Sequence, residues 1–161
     1  VSEEIWSKAN AQLETVMRMA SQAGVPIQLH VEENGAKTNA ELAEICDRAG
    51  LPRSNAVHHY APANVSGEFT HGLSSSVSMA KNSVSDLIKT FSECTATWTM
   101  ETDYLDDPDR PGAVLGPKTV PKRTQQLTDQ LLQIMTQDEA EELLMHVHSI
   151  WPNRLYGEID P

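Results

Sequence analysis

The sequence predicts an α/β fold in which parallel strands are joined by helical crossovers. Three observations lead there. Short strand-like runs alternate with helical periodicity along the chain. Gly24 and Gly50 stand where two of those helical patterns end. Polar residues able to do chemistry recur at the C-terminal ends of the strand-like runs, the side of a parallel sheet where active sites form.

The first helix is expected over residues 4–23, with Ile5, Ala9, Leu13, Val16, Met17 and Ala20 at helical spacing and Gly24 as its stop. Val25 to Val31 reads as a short strand. Thr38, with Glu41 three residues later, reads as a capping box opening a second helix. Its apolar face is Leu42, Ile45, Cys46 and Ala49, and Gly50 ends it. Asn55 to Tyr60 is a second strand, and Leu73 to Met79, alternating apolar residues with Ser, a third. Asn82 to Phe91 is helical, with Val84, Leu87, Ile88 and Phe91 on one face. Thr95 to Met100, rich in Thr and Trp, is a fourth strand.

Turn residues fill Asp106 to Pro121, and two helices follow over 122–135 and 137–148. Thr136 with Glu139 makes a capping box before the second of them. The tail from Trp151 to Pro161 reads as irregular.

At 161 residues, with 39% hydrophobic and 22% charged side chains, the chain can form one globular domain over 1–161. No apolar run reaches membrane-spanning length, and Val1-Ser2-Glu3-Glu4 is not a signal region. The net charge of -11 repels nucleic acid at long range, so any phosphate contact has to be local. Cys46 and Cys94 sit in apolar surroundings and read as thiols of a reducing cytoplasm. No Gly-rich phosphate loop occurs; Gly24 and Gly35 are isolated.

Four strands in an open parallel sheet leave two exposed edges, and a complete (β/α)8 barrel needs about 250 residues. The chain is therefore either a small open sheet or half of a barrel. At the strand ends stand His30, then His58 and His59, then Glu101 and Asp103. Imidazoles and a carboxylate in one layer suit a zinc-like divalent ion. Side chains alternate along a strand, so only one of His58 and His59 can face such a centre. His146 and His148, two apart in a helix, do not share a face and read as surface or packing residues; His71 carries no signal. Glu32 and Glu33 beyond His30 are placed to touch substrate or to be solvated, the second reading being preferred, and Lys118, Lys122 and Arg123 read as a helix-start surface able at most to hold phosphates.

Four segments carry a family resemblance. Pro26-Ile27-Gln28-Leu29-His30 resembles the fifth-strand motif of TatD-type hydrolases, and Ala56-Val57-His58-His59-Tyr60-Ala61-Pro62 the sixth. Met100-Glu101-Thr102-Asp103 resembles the last-strand E-T-D motif, and Trp151-Pro152-Asn153-Arg154-Leu155-Tyr156-Gly157 the closing N-x-x-R-L-F segment, one residue short. They occur in the family's order, and the loop with Pro108, Pro111 and Gly116-Pro117-Lys118 is most similar to an archaeal branch.

The resemblance implies the C-terminal half of a TIM (β/α)8 barrel of the amidohydrolase superfamily. It also implies divalent metal ions (zinc, or magnesium or manganese) and hydrolysis of phosphodiesters, as in a deoxyribonuclease. Carried over by position, His30, Asp103 and one of the adjacent histidines bind metal, and Asp103 is catalytic, taking a proton from the attacking water. His59 is preferred because Tyr60 then matches the aromatic that flanks the ligand; aligning on the gap to Tyr60 selects His58 instead. The family's His-x-His of the first strand and bridging Glu of the fourth have no counterpart, since His146-Val147-His148 lies in a helical stretch. A partner chain or an omitted first half would have to supply them. Amide or lactone hydrolysis at the same site, and a non-catalytic half-barrel, are the alternative expectations.

Overall fold

The computed structural model describes residues 2–31, 34–104, 109 and 115–157. Helix α1 (Glu3–Ala23) is opened by Ser2, whose hydroxyl accepts from the Ile5 N–H, and closed by Gly24 in the left-handed conformation. It buries Met17 and Ala20. Ile5, Ala9 and Val16, expected on its packed face, are exposed. The contact stripe follows Leu13, Met17 and Ala20, and the three exposed residues lie outside it.

Strand β1 (Ile27–Leu29) is shorter than the expected run. Helix α2 (Ala36–Ala49) starts one turn earlier than a Thr38 cap requires. Gly35 occupies the cap position, and the Thr38 hydroxyl inside the first turn accepts from the Asn34 N–H instead. The expected face of Leu42, Ile45, Cys46 and Ala49 is buried.

β2 (Ala56–Ala61), the one-turn helix α3 (Gly67–Thr70), β3 (Ser74–Ser78), α4 (Ser83–Thr90) and β4 (Trp98–Glu101) follow. The sequence reading had no α3; Ser66 caps it by accepting from the Phe69 N–H. Helix α5 (Thr119–Leu131) begins ahead of Pro121. That proline falls in the first turn, where its missing N–H costs no helical bond. Helix α6 (Gln137–Met145) has the expected Thr136–Glu139 capping box.

The tail is helical, not irregular. A wider π-type turn over His146–Ile150 leads straight into α7 (Trp151–Tyr156). Proline blocks an ordinary helix interior by losing a bond and clashing one turn back. The wider turn shifts the hydrogen-bond register at that place, so the chain passes Pro152 without ending.

The four strands are all parallel and lie in the order β1-β2-β3-β4. This is a TIM-barrel-like arc: crossovers that always advance in one direction place the crossover helices on one face of the sheet. Ile27, Leu29 and Ala56 of that face pack with α1 and α2. Val77, Trp98 and Met100 pack with α4, α5 and α6. The third strand is thus buried on both faces: its serines look away from the helices at Ser74, Ser76 and Ser78 and toward them at Ser75. Ser74 binds the Ser54 carbonyl at 2.7 Å and the Thr97 hydroxyl, so its burial is satisfied.

The C-terminal helix ties the ends of the sheet together. Trp151 packs on Trp98 of β4 with ring centroids 6.0 Å apart, and the Gln28 amide of β1 donates to the Tyr156 hydroxyl at 2.8 Å. No helix among the described residues is long and apolar enough to cross a membrane.

Candidate metal centre at the strand ends

Register places the adjacent histidines of β2 on opposite faces. His58 pairs with Leu29 and Ser75, so it points to the helices. Its ring is buried, with Nδ1 2.8 Å from Asn39 Oδ1, and the Asn39 amide donates to the Phe69 carbonyl at 2.9 Å. Because Asn39 uses its N–H on Phe69, its oxygen must accept, and His58 Nδ1 carries the proton. His59 turns the other way, toward the end of β4.

A register shift between His58 and Ala61 interrupts the β2–β3 ladder there. At its centre Tyr60 adopts φ 57°, a conformation costly for a bulky L-residue. That twist aims the Tyr60 N–H at the carboxylate of Glu101, which accepts it. Asp103, also left-handed at φ 49°, follows two residues later. Strain of this kind concentrates at functional sites.

His59 sits between the two carboxylates. Its Nδ1 lies 2.8 Å from Glu101 Oε2 and its Nε2 3.3 Å from Asp103 Oδ1. The His30 ring completes the group, with its centroid 5.4 Å from that of His59. Burial pushes the Glu101 carboxyl above its ordinary range, while His59, the Tyr60 N–H and Ser76 pull it back down. Glu101 was placed at the strand end by sequence reasoning but given no role. Its signal was the two-residue spacing to Asp103, which keeps both carboxylates at the same strand mouth.

His30, His59 and Asp103 are therefore neighbours at one edge. Glu32 and Glu33 lie outside the described residues. Of the helix-start cations, Arg123 spends its guanidinium on the Met79 carbonyl and Gln126. His146 and His148 pack locally, against Trp151 and the Thr124 hydroxyl respectively, as expected.

Do these residues suit a divalent ion? Among the described residues, no three His, Cys, Asp or Glu side chains converge as a ready-made metal cage. The donor chemistry does suit one: two imidazoles and a carboxylate oxygen. His59 Nδ1 is also buried without an aligned hydrogen bond, although Glu101 Oε2 is close. Glu101 thus stands behind one nitrogen of the ring, and Nε2, beside Asp103, is the nitrogen that would face an ion.

Residues 1–150 match the family described as TatD related DNase. The chain belongs to that family. It is 35% identical over 130 residues to "Uncharacterized protein MJ1127" of Methanocaldococcus jannaschii, a match covering 80% of this chain and 44% of that relative. The chain thus spans under half the length of the curated relative it matches. No solved structure matches it. Hydrolase chemistry at the coarse level, with divalent metals, is typical of TatD family members, and the parallel arc agrees with their barrel-like fold.

Proposed function

We propose that this chain forms one side of a metal-dependent hydrolase site that cleaves phosphodiester bonds in nucleic acid or a smaller phosphodiester. The observation that carries the reading is His59 lodged between Glu101 and Asp103 at the mouth of a parallel arc, with His30 alongside. His30, His59 and Asp103 would hold the ion, whether zinc, magnesium or manganese. When bound, such an ion supplies a Lewis acid that polarises the phosphoryl group and acidifies water.

The chain's own residues do the rest. Asp103 accepts the proton of the attacking water at its carboxylate. Glu101 holds the Tyr60 backbone and orients the His59 ring, the outer-shell role a carboxylate plays behind a ligand imidazole. Ser76 of β3, on the same face, hydrogen-bonds the Glu101 carboxylate.

Coverage of 44% of the matched relative supports a further reading: the remaining ligands come from a segment or partner chain that completes the barrel. We place the protein in the cytoplasm, in keeping with free thiols at Cys46 and Cys94.

The test is the metal content of the purified chain beside His30→Ala, His59→Ala and Asp103→Ala. About one ion per chain, lost in each variant, is the expected result, followed by hydrolysis of a phosphodiester panel alongside amides and lactones. Equal metal in all four proteins would overturn the ligand assignment.

A further inference from the structure

A small pocket of about 160 Å³ lies between α1 and α2, near the end of β1. Trp6, Asn10 and Leu13 of α1 line it, with Glu41, Leu42 and Ile45 of α2, and Val31 just past β1. It shares no residue with the cluster of His30, His59, Glu101 and Asp103. Three features fit it for a guest.

The first is its apolar wall. Leu42 and Ile45 belong to the core cluster behind these helices, and Leu13 and Val31 pack against it. A cavity of about 150 Å³ walled by such side chains stays dry and takes up a benzene-sized guest.

The second is Trp6. It stands seven residues before Leu13 and so continues the stripe of Leu13, Met17 and Ala20 by which α1 packs. Yet Trp6 is 51% exposed, because along this part of the stripe its neighbour is the pocket. An indole with open surface at a pocket wall attracts a cation to its face.

The third is the polar rim. Asn10 is half-buried and its side chain makes no hydrogen bond among the described residues. Glu41 supplies the carboxylate, and Lys37 meets it only at 3.7 Å with a side chain 70% exposed, where water screens the pair. Glu41 lies in the second turn of α2, beyond the reach of the positive end of the helix dipole at Ala36.

We propose that this pocket binds a small amine with an aromatic or branched aliphatic body. The body enters between Leu13, Val31, Leu42 and Ile45. The ammonium stops at the rim, donating to the Glu41 carboxylate and the Asn10 side-chain oxygen beside the Trp6 ring. A carboxylate rim on a chain of net charge -11 repels anionic guests of the same shape. The apolar wall gives a bare cation nothing to bury. The site is independent of the metal reading.

The experiment is an NMR titration of the full chain at pH 7, in buffer containing EDTA, with benzylamine, benzyl alcohol, benzoate and methylamine. Benzylamine should shift the amides of Leu13, Val31, Leu42 and Ile45 and the indole N–H of Trp6, while the indole signals of Trp98 and Trp151 stay in place. Benzyl alcohol should bind more weakly, and benzoate and methylamine should produce no shifts. Glu41→Gln, an exposed change that leaves the fold intact, should weaken benzylamine about tenfold, the scale of one charge-assisted contact, and leave benzyl alcohol unchanged. Trp6→Leu should weaken benzylamine about threefold and benzyl alcohol less. No benzylamine shifts at the pocket residues would overturn the site. Benzyl alcohol or benzoate binding as tightly as benzylamine, or benzylamine affinity unchanged in Glu41→Gln, would overturn the amine assignment.

Discussion

Glu101 grips His59 from two directions: Oε2 lies 2.8 Å from the ring nitrogen Nδ1, and Oε1 accepts from the backbone N–H of the next residue, Tyr60. One carboxylate on β4 therefore sets both the ring and the strained backbone of β2. Strands β2 and β4 are not neighbours in the sheet; β3 lies between them. The contact closes the mouth of the arc over β3.

Glu101→Ala should then weaken metal binding without removing a proposed ligand. The expected loss is roughly 10–100-fold in zinc affinity, the usual effect of deleting a carboxylate behind a ligand imidazole. Equilibrium dialysis against zinc checks it, with Glu101→Gln expected in between. Unchanged affinity in Glu101→Ala would detach Glu101 from the site.

The buried His58–Asn39 pair should matter for stability. Asn39→Ala leaves His58 Nδ1–H and the Phe69 carbonyl without the partner each now has. An orphaned buried polar group costs about 1–3 kcal/mol. Urea unfolding should show a lower midpoint with an unchanged slope. A midpoint equal to that of the parent protein would mean water replaces the amide.

The Cys46 thiol has a pKa pushed up to about 11 by burial, with Asp47 adding to the effect. A thiol titrates near 8.5 in an unfolded chain. Between those values the unfolded state releases a proton that the folded state keeps, so stability falls as pH rises from about 8.5 to 11. The same burial should make Cys46 far slower to alkylate at pH 8 in the folded protein than in urea. Mass spectrometry of iodoacetamide-treated protein reads this directly, and equal rates would contradict the packing of Cys46 against Met17.

Thr136→Ala removes the hydroxyl that accepts from the Glu139 N–H and half of the capping box of α6. A loss of about 1 kcal/mol is expected. Thermal unfolding compared with Thr136→Ser, which keeps the cap, measures it. Equal losses in the two variants would point to packing of the Thr136 methyl as the cause.

The sequence by itself determined the parts governed by local rules. Gly24 and Gly50 end α1 and α2 because left-handed backbone costs glycine nothing. The face of Leu42, Ile45, Cys46 and Ala49 follows from helical period, and Thr136–Glu139 from cap chemistry. The strand-end placement of His30, His59, Glu101 and Asp103 was equally legible, because parallel strands alternate with helices. Tertiary structure decided what local rules leave open. Alternation says that one of His58 and His59 faces the site, but only register against β1 and β3, with Asn39 waiting on α2, says which. Thr38 lost its cap role to Gly35 although its spacing to Glu41 is that of a cap. The helix runs past Pro152 because a π-type turn and the packing of Trp151 on Trp98 outweigh the residue's local preference to break it. The left-handed twist at Tyr60 has no signature in the chain, since it is held by a carboxylate 41 residues away.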